Sequence, residues 1–258
     1  MRPGSMLDPF ELMPFTGYIE RSTGRQETYL SLAHFIHSER FAGVDEHYRR
    51  YLLQLDDTEL FRLEVDGVGI TCGDKPDWDA MKVRLLYAGI YMQALSNREH
   101  YGNLLAKADN LSIANCSFSE DAAEAMGEFV GDIQTPQDKL KVAFLGATQD
   151  ESFIESCLSV IFARRGPQCL LSIEDDGCSM GVSMYARKGA VSFALLSASL
   201  SEESIAENIL RRCTHIFHFL SGNDSKLTSA VLDRLQAAGG KVRSEEHTSE
   251  LQSPCGSR

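Results

Sequence analysis

Apolar residues recur at intervals of three and four along 29–41, 44–55, 78–95 and 98–106, the spacing that lines one face of an α-helix. The first part of the chain is therefore expected to be mainly helical. Within it, 61–65 and 68–71 flank Asp66-Gly67, a two-residue turn signal that predicts a hairpin. Asp74 and Asp77, with Pro76 beside them, are placed to cap the helix that opens at Trp78. Further on the pattern changes in kind. Short runs at 142–146, 169–173, 191–196 and 215–220 are apolar and rich in β-branched or aromatic residues, and a helical pattern follows each of them. In 151–165 the stripe is Phe153, Ile154, Cys157, Leu158, Ile161 and Phe162; in 225–238 it is Leu227, Val231, Leu235 and Ala238. Strands alternating with helices predict a parallel sheet covered on both faces. The expected fold class is α/β: a mainly helical domain over 1–135, with a linker in the polar stretch 121–138, followed by a parallel-sheet domain over 136–242.

Parallel sheets bind ligands beyond the carboxyl ends of their strands. Three turns fall at that edge. Gly146-Ala147-Thr148 follows the first predicted strand, Asp176-Gly177 with Gly181 follows the second, and Ser221-Gly222-Asn-Asp-Ser225-Lys-Leu-Thr228 follows the fourth. Taken one at a time, such glycines make tight turns and such hydroxyls cap helices. Taken together they describe a cleft with backbone amides facing an anion, and the expected occupant is a nucleotide or a phosphorylated sugar.

The chain has 258 residues, 43% of them hydrophobic, with 25 Lys and Arg against 37 Asp and Glu for a net charge of −12. These values exclude a disordered, collagenous or coiled-coil rod class. So acidic a chain repels phosphate backbones, so nucleic acid is not the expected partner; a small molecule or a protein is. No apolar run reaches the roughly 20 residues that span a bilayer, and the amino terminus lacks the apolar core of a signal peptide, so no membrane partner and a cytoplasmic location are expected. The seven cysteines include no CxxC pair and several lie in apolar runs, which reads as reduced thiols. His215 and His218 would fall on opposite faces of a strand; His34 and His37 share a helical face without further ligands at metal-site spacing. Neither a metal nor a cofactor is expected. Residues 243–253 resemble the in-frame translation of a common sequencing-library adapter, so 243–258 are expected to be a non-native tail and the natural sequence to cease near Val242.

From Lys141 to Val242 the opening strand with Gly146-Ala147-Thr148, the glycine turn after the second strand, and Thr214-His-Ile-Phe-His-Phe-Leu-Ser-Gly-Asn-Asp-Ser-Lys-Leu-Thr228 followed by Gly-Gly-Lys-Val242 resemble the SLOG superfamily. That resemblance implies a Rossmann-like nucleotide-binding domain of the DprA-like and YpsA-like kind. It also implies ligand contacts at Gly146, Ala147, Thr148, Asp176, Gly177, Gly181, Gly222, Ser225 and Thr228. The sequence departs from the superfamily at Leu227, where a glycine is usual, and at Asp176-Gly177, where a glycine pair is usual. With Glu174 and Asp175, Asp176 places negative charge at the phosphate cradle, unless these carboxylates hold ribose hydroxyls instead.

Upstream, Tyr29-Leu-Ser-Leu-Ala-His34-Phe-Ile-His-Ser-Glu-Arg-Phe41, then Lys75-Pro-Asp-Trp78-Asp-Ala-Met-Lys82-Val-Arg-Leu-Leu, then Leu104-Leu-Ala-Lys-Ala-Asp109-Asn-Leu-Ser-Ile-Ala-Asn115 resemble, in that order, the NADAR family of YbiA-like N-glycosidases. The resemblance covers about Pro9 to Gly131. It implies a pocket for a ribosyl compound, with Tyr29, His34, His37 and Lys82 as candidate contacts. Breaking an N-glycosidic bond builds positive charge on the sugar and needs a carboxylate beside it. Here Ala33 stands where the family has a glutamate, Asn115 where an acid is usual, and Ala125-Met-Gly127 in place of Trp-Gly. Glu39, six residues from Ala33, lies about 240° around the helix, and Glu27 precedes the helix. The expectation is a nucleotide-derivative (ADP-ribose or NAD-like) binding or sensing protein whose N-glycosidase-like domain is inactive. The alternatives are an N-glycosidase with rearranged acids and a noncatalytic interaction or phage structural protein.

Overall fold

Ser31 starts the first helix: its backbone is extended, and its hydroxyl accepts the His34 N–H, which satisfies one of the amides a helix leaves unpaired at its start. The computed structural model describes residues 6–67, 75–107, 112–113, 119–134, 140–163, 165–220 and 224–246. The chain forms two compact units, one of residues 1–139 and 186–194 and the other of 140–185 and 195–258. The architecture is mixed α/β, a helical unit and a Rossmann-like parallel-sheet unit. Among the described residues no helix is long and apolar enough to cross a membrane.

In the first unit, β1 (Met6–Leu7) pairs with β4 (Ser112–Ile113), and β2 (Phe15–Ile19) pairs antiparallel with β3 (Gln26–Tyr29). The helices are α1 (Leu32–Phe41), α2 (Glu46–Gln54), α3 (Thr58–Gly67), α4 (Trp78–Ser96), α5 (Arg98–Lys107) and α6 (Ser119–Gln134). The second half of α4 is buried nearly all round, at Leu85, Leu86, Tyr87, Ala88, Gly89, Ile90, Met92 and Gln93, as a helix must be when other elements cover every face. Its polar groups are matched: the Gln93 amide donates to Met13 C=O, Tyr101 Oη donates to Gln93 Oε1, and Tyr87 Oη donates to Asp132 Oδ2 of α6.

Three local expectations meet a different outcome here. Residues 61–65 belong to α3 rather than to a hairpin strand; 68–71 lie outside the described residues. The Asp57 carboxylate accepts from Glu59 N and Leu60 N, opening a helix that buries Phe61, and this cap with its burial overrides the Asp-Gly turn signal. The stretch read as a linker is largely α6, because Ala122, Ala125, Met126 and Phe129 form a buried stripe between its acidic positions. Asp77 stands at the N-cap of α4 with φ 62° but makes no side-chain cap, and Trp78 is half-buried, 5.9 Å from the Arg40 guanidinium. Asp74 lies outside the described residues.

The chain from 140 onward alternates β5 (Leu140–Leu145), α7 (Glu151–Ile161), β6 (Pro167–Ile173), α8 (Ser179–Lys188), β7 (Ser192–Leu196), α9 (Glu202–Arg212), β8 (His215–Leu220), α10 (Lys226–Ala237) and β9 (Val242–Glu246), of which 186–194, the end of α8 and the start of β7, count with the first unit and the rest form the second. The strands form one parallel sheet in the order β7-β6-β5-β8-β9. Val142 to Leu145 of β5 are all buried, as in a strand covered on both faces. Asp150, Ser201 and Ser225 cap α7, α9 and α10 with their side chains. β9 carries Arg243 to Glu246 in register with Phe217 to Leu220, a ladder made by main-chain groups. Cys157, Cys169, Cys178 and Cys213 are free thiols.

Candidate functional site

The strand order reverses direction between β5 and β8, and it is at such a switch point that an open parallel sheet leaves a crevice. The chain leaving β5 turns at Gly146 with φ 131°, and a Cβ there would collide with the Phe219 carbonyl of β8. Only glycine fits. Gly177 is confined in the same way against the Ala147 backbone, which lets the turn after β6 lie on the turn after β5, with Cys178 N donating to Gly146 O at 2.9 Å.

Two aspartates join these turns. Asp176 Oδ2 accepts Gly146 N–H at 2.9 Å, while its Oδ1 accepts Gly177 N–H and Thr228 Oγ1–H, each at 3.2 Å. Asp224 Oδ1 accepts Ala147 N–H at 3.1 Å, and its Oδ2 lies 2.6 Å from His218 Nε2. Ser225 caps α10, its Oγ 2.8 Å from Thr228 Oγ1. Burial pushes the Asp176 carboxyl up to about 6 despite the pull of the Gly146 and Thr228 hydrogen bonds, and the Asp224 charge adds to the rise. The amides that an outside anion would use are thus held by the chain's own carboxylates. What the crevice offers a ligand is carboxylate oxygen: among the described residues each Asp224 oxygen accepts one bond, and a carboxylate oxygen can take two.

Of the residues singled out in the sequence, Gly146, Ala147, Asp176, Gly177, Ser225 and Thr228 come together here. Thr148 is buried beside them, its hydroxyl receiving Asp150 N–H at 3.4 Å. Gly181 instead serves packing, since a Cβ would stand 2.6 Å from Ile154 Cδ1. Gly222 lies outside the described residues. Asp224 and His218 were not anticipated. The available signal was position: His218 faces the last residue of β5, Leu145, and Asp224 directly precedes the α10 cap.

In the first unit the predicted contacts separate. His34 is buried and stacks on Phe61 at 3.8 Å, with Nδ1 2.7 Å from Ser31 Oγ and Nε2 2.8 Å from Leu55 O. His37 meets the edge of the same ring, and burial, helped by Arg40 and His34, pushes it down to about 3. Lys82 lies elsewhere, 3.1 Å from Asp121 and 3.5 Å from Asp79. Tyr29 sits in a third place, with Glu27, Glu39, Arg49 and Arg187. Its Oη lies 2.6 Å from Glu27 Oε2 and 3.0 Å from Glu39 Oε1. Arg49 pairs with Glu27 and lies 3.5 Å from Glu39, and Arg187 reaches both carboxylates. Burial alone would raise Glu39; the two guanidiniums outweigh it and hold the carboxyl at about 2. Glu27 of β3 and Glu39 of α1 therefore share a fixed position, and two arginines neutralise them.

Among the described residues no group of three His, Cys, Asp or Glu side chains is arranged to hold a metal ion. Compared with known proteins, the chain matches no family model and no curated protein.

Proposed function

We propose that this chain is a nucleotide-derivative-binding protein, taking ADP-ribose or an NAD-like molecule in the crevice between β5 and β8, and that its helical unit performs no N-glycosidase chemistry. The observation that carries this reading is the meeting of three strand-end turns, through Asp176 and Asp224, at the switch point of a parallel sheet. Because carboxylates already hold the Gly146 and Ala147 amides, the ribose is the part of the ligand that suits the crevice. Its vicinal hydroxyls donate to carboxylate oxygen, and the phosphates stay clear of like charge. The lack of turnover follows from Glu39, whose charge is committed to Arg187, Arg49 and Tyr29 and so is not free to stabilise a developing cation.

Titration calorimetry with ADP-ribose, NAD and adenosine tests the reading. Binding is expected for the ribosyl ligands, weakened about tenfold or more by Asp224→Ala. No heat and no thermal shift with any of the three at millimolar concentration would discard it. A second reading, an N-glycosidase with rearranged acids, draws on the convergence of Glu27 and Glu39 at Tyr29. It requires that purified protein release free base or ADP-ribose, and that Glu39→Gln abolish the release.

A further inference from the structure

The group that Glu27, Tyr29 and Glu39 surround in the first unit is the guanidinium of Arg187, and they meet it as a receptor meets a ligand. Arg187 Nε donates to Glu39 Oε2 at 2.9 Å and Nη2 donates to Glu39 Oε1 at 2.7 Å, so one carboxylate takes the planar edge through two parallel hydrogen bonds. Nη2 also reaches Glu27 Oε2 at 2.6 Å and Tyr29 Oη at 3.5 Å. The Tyr18 ring lies 5.4 Å from the guanidinium carbon, within cation–π range. Fork-on-carboxylate geometry with an aromatic partner selects guanidinium over ammonium.

The receptor is fixed from behind. Glu39 is fully buried, Tyr29 Oη bonds both carboxylates, and Arg49 pairs with both while its Nη1 is 3.1 Å from Glu46. With Arg187 in place, Glu27 and Glu39 face two guanidiniums, while Lys75 acts on Glu39 and Glu46 shares Arg49. Without Arg187, the buried pair loses one of its two direct counter-charges. The segment that delivers Arg187 is held by two further bonds within the same unit, Tyr18 Oη to Val191 O at 3.0 Å and Arg84 Nη2 to Gly189 O at 2.6 Å.

The geometry points to a guanidinium-binding site in the first unit, built from Tyr18, Glu27, Tyr29 and Glu39 and filled in cis by Arg187. Its ligand class is the arginyl side chain or a small alkylguanidinium, and it is independent of the crevice proposed for nucleotides.

Arg187→Ala in the full chain empties the site. The variant is expected to lose roughly 5–10 °C in Tm. About 10 mM methylguanidinium should restore part of that loss by binding only the folded form, whereas methylammonium at the same concentration should not. The wild type, already filled, should respond to neither. Arg187→Lys should retain charge but not full stability. If Arg187→Ala does not fold, refolding with and without methylguanidinium replaces the melt: recovery only with the guanidinium supports the site, and equal failure in both overturns it. Equal response to the two cations, or equal response of variant and wild type, overturns it as well.

Discussion

Single residues in the second unit are constrained by backbone, not by bulk. Gly146 combines φ 131° with a carbonyl of the neighbouring strand where a Cβ would go, so a side chain meets both an unfavourable dihedral and a rigid obstacle. Gly146→Ala should destabilise this unit by about 2 kcal/mol or more. Urea unfolding followed by circular dichroism should show a lower midpoint; a loss under about 0.5 kcal/mol would mean that the turn after β5 is not built as described. The same substitution should weaken any ligand at the crevice, since Gly146 N–H fixes Asp176. His34 is the contrasting case in the first unit. Both of its ring nitrogens have partners in Ser31 and Leu55, and its ring covers Phe61. Its histidine chemistry is occupied in holding α1 to the chain around it.

At the scale of elements, α3 is anchored chiefly by Phe61, its buried side chain. Phe61 is fully buried, stacked on His34, edge-on to His37 and 6.2 Å from the ring of Phe10. Phe61→Ala should cost roughly 3–5 kcal/mol, and hydrogen exchange should report the loss first in α3; protection there equal to wild type would show that the helix is held by something else. The same helix shows what the sequence could and could not disclose. Its helical spacing was present in Phe61 and Val65, four apart and packed in one cluster, but Asp66-Gly67 carried the stronger local signal, and only burial of Phe61 decides between them. In α6, Gly127 and Gly131 suggested a break while Ala122, Ala125, Met126 and Phe129 supplied the face that packs. The parallel strands were legible because each is a short run buried on both sides, such as Val142 to Leu145. Gly146, Ala147, Asp176, Gly177, Ser225 and Thr228 were legible for a related reason: turns at strand ends must share one edge of the sheet. Asp224 was not, since its bond to Ala147 needs β8 beside β5, and His218 gains its role only through Asp224. Nor was the Arg187 site, whose carboxylates and guanidinium lie up to 160 positions apart, with Tyr18 farther still, and share no periodicity.

At the scale of the whole chain, the buried ionisable groups divide by sign, and acid should act oppositely on the two units. In the first, His37 is held down to about 3 and Glu39 at about 2. The unfolded chain protonates its histidines near 6.5 and its glutamates near 4.5, before the folded one does. It therefore binds more protons as pH falls, and stability present above pH 6.5 is progressively lost toward pH 3. The His37 contribution alone is on the order of 3–5 kcal/mol. In the second unit the folded form of Asp176 takes up its proton first, at about 6 against 3.8. The stabilising contribution is complete below about 3.8 and disappears as pH rises through 6, a change of roughly 2–3 kcal/mol. Between pH 6.5 and 4.5 the helical unit should lose hydrogen-exchange protection in α1 and α2 while β5 and β8 keep or gain it, once intrinsic exchange rates are corrected for. Asp176→Asn should remove the gain in the sheet without altering the loss in the helices. Parallel loss of protection in both units would contradict the burial of Asp176 beside Gly146 and Thr228, and with it the carboxylate-lined crevice on which the nucleotide reading stands.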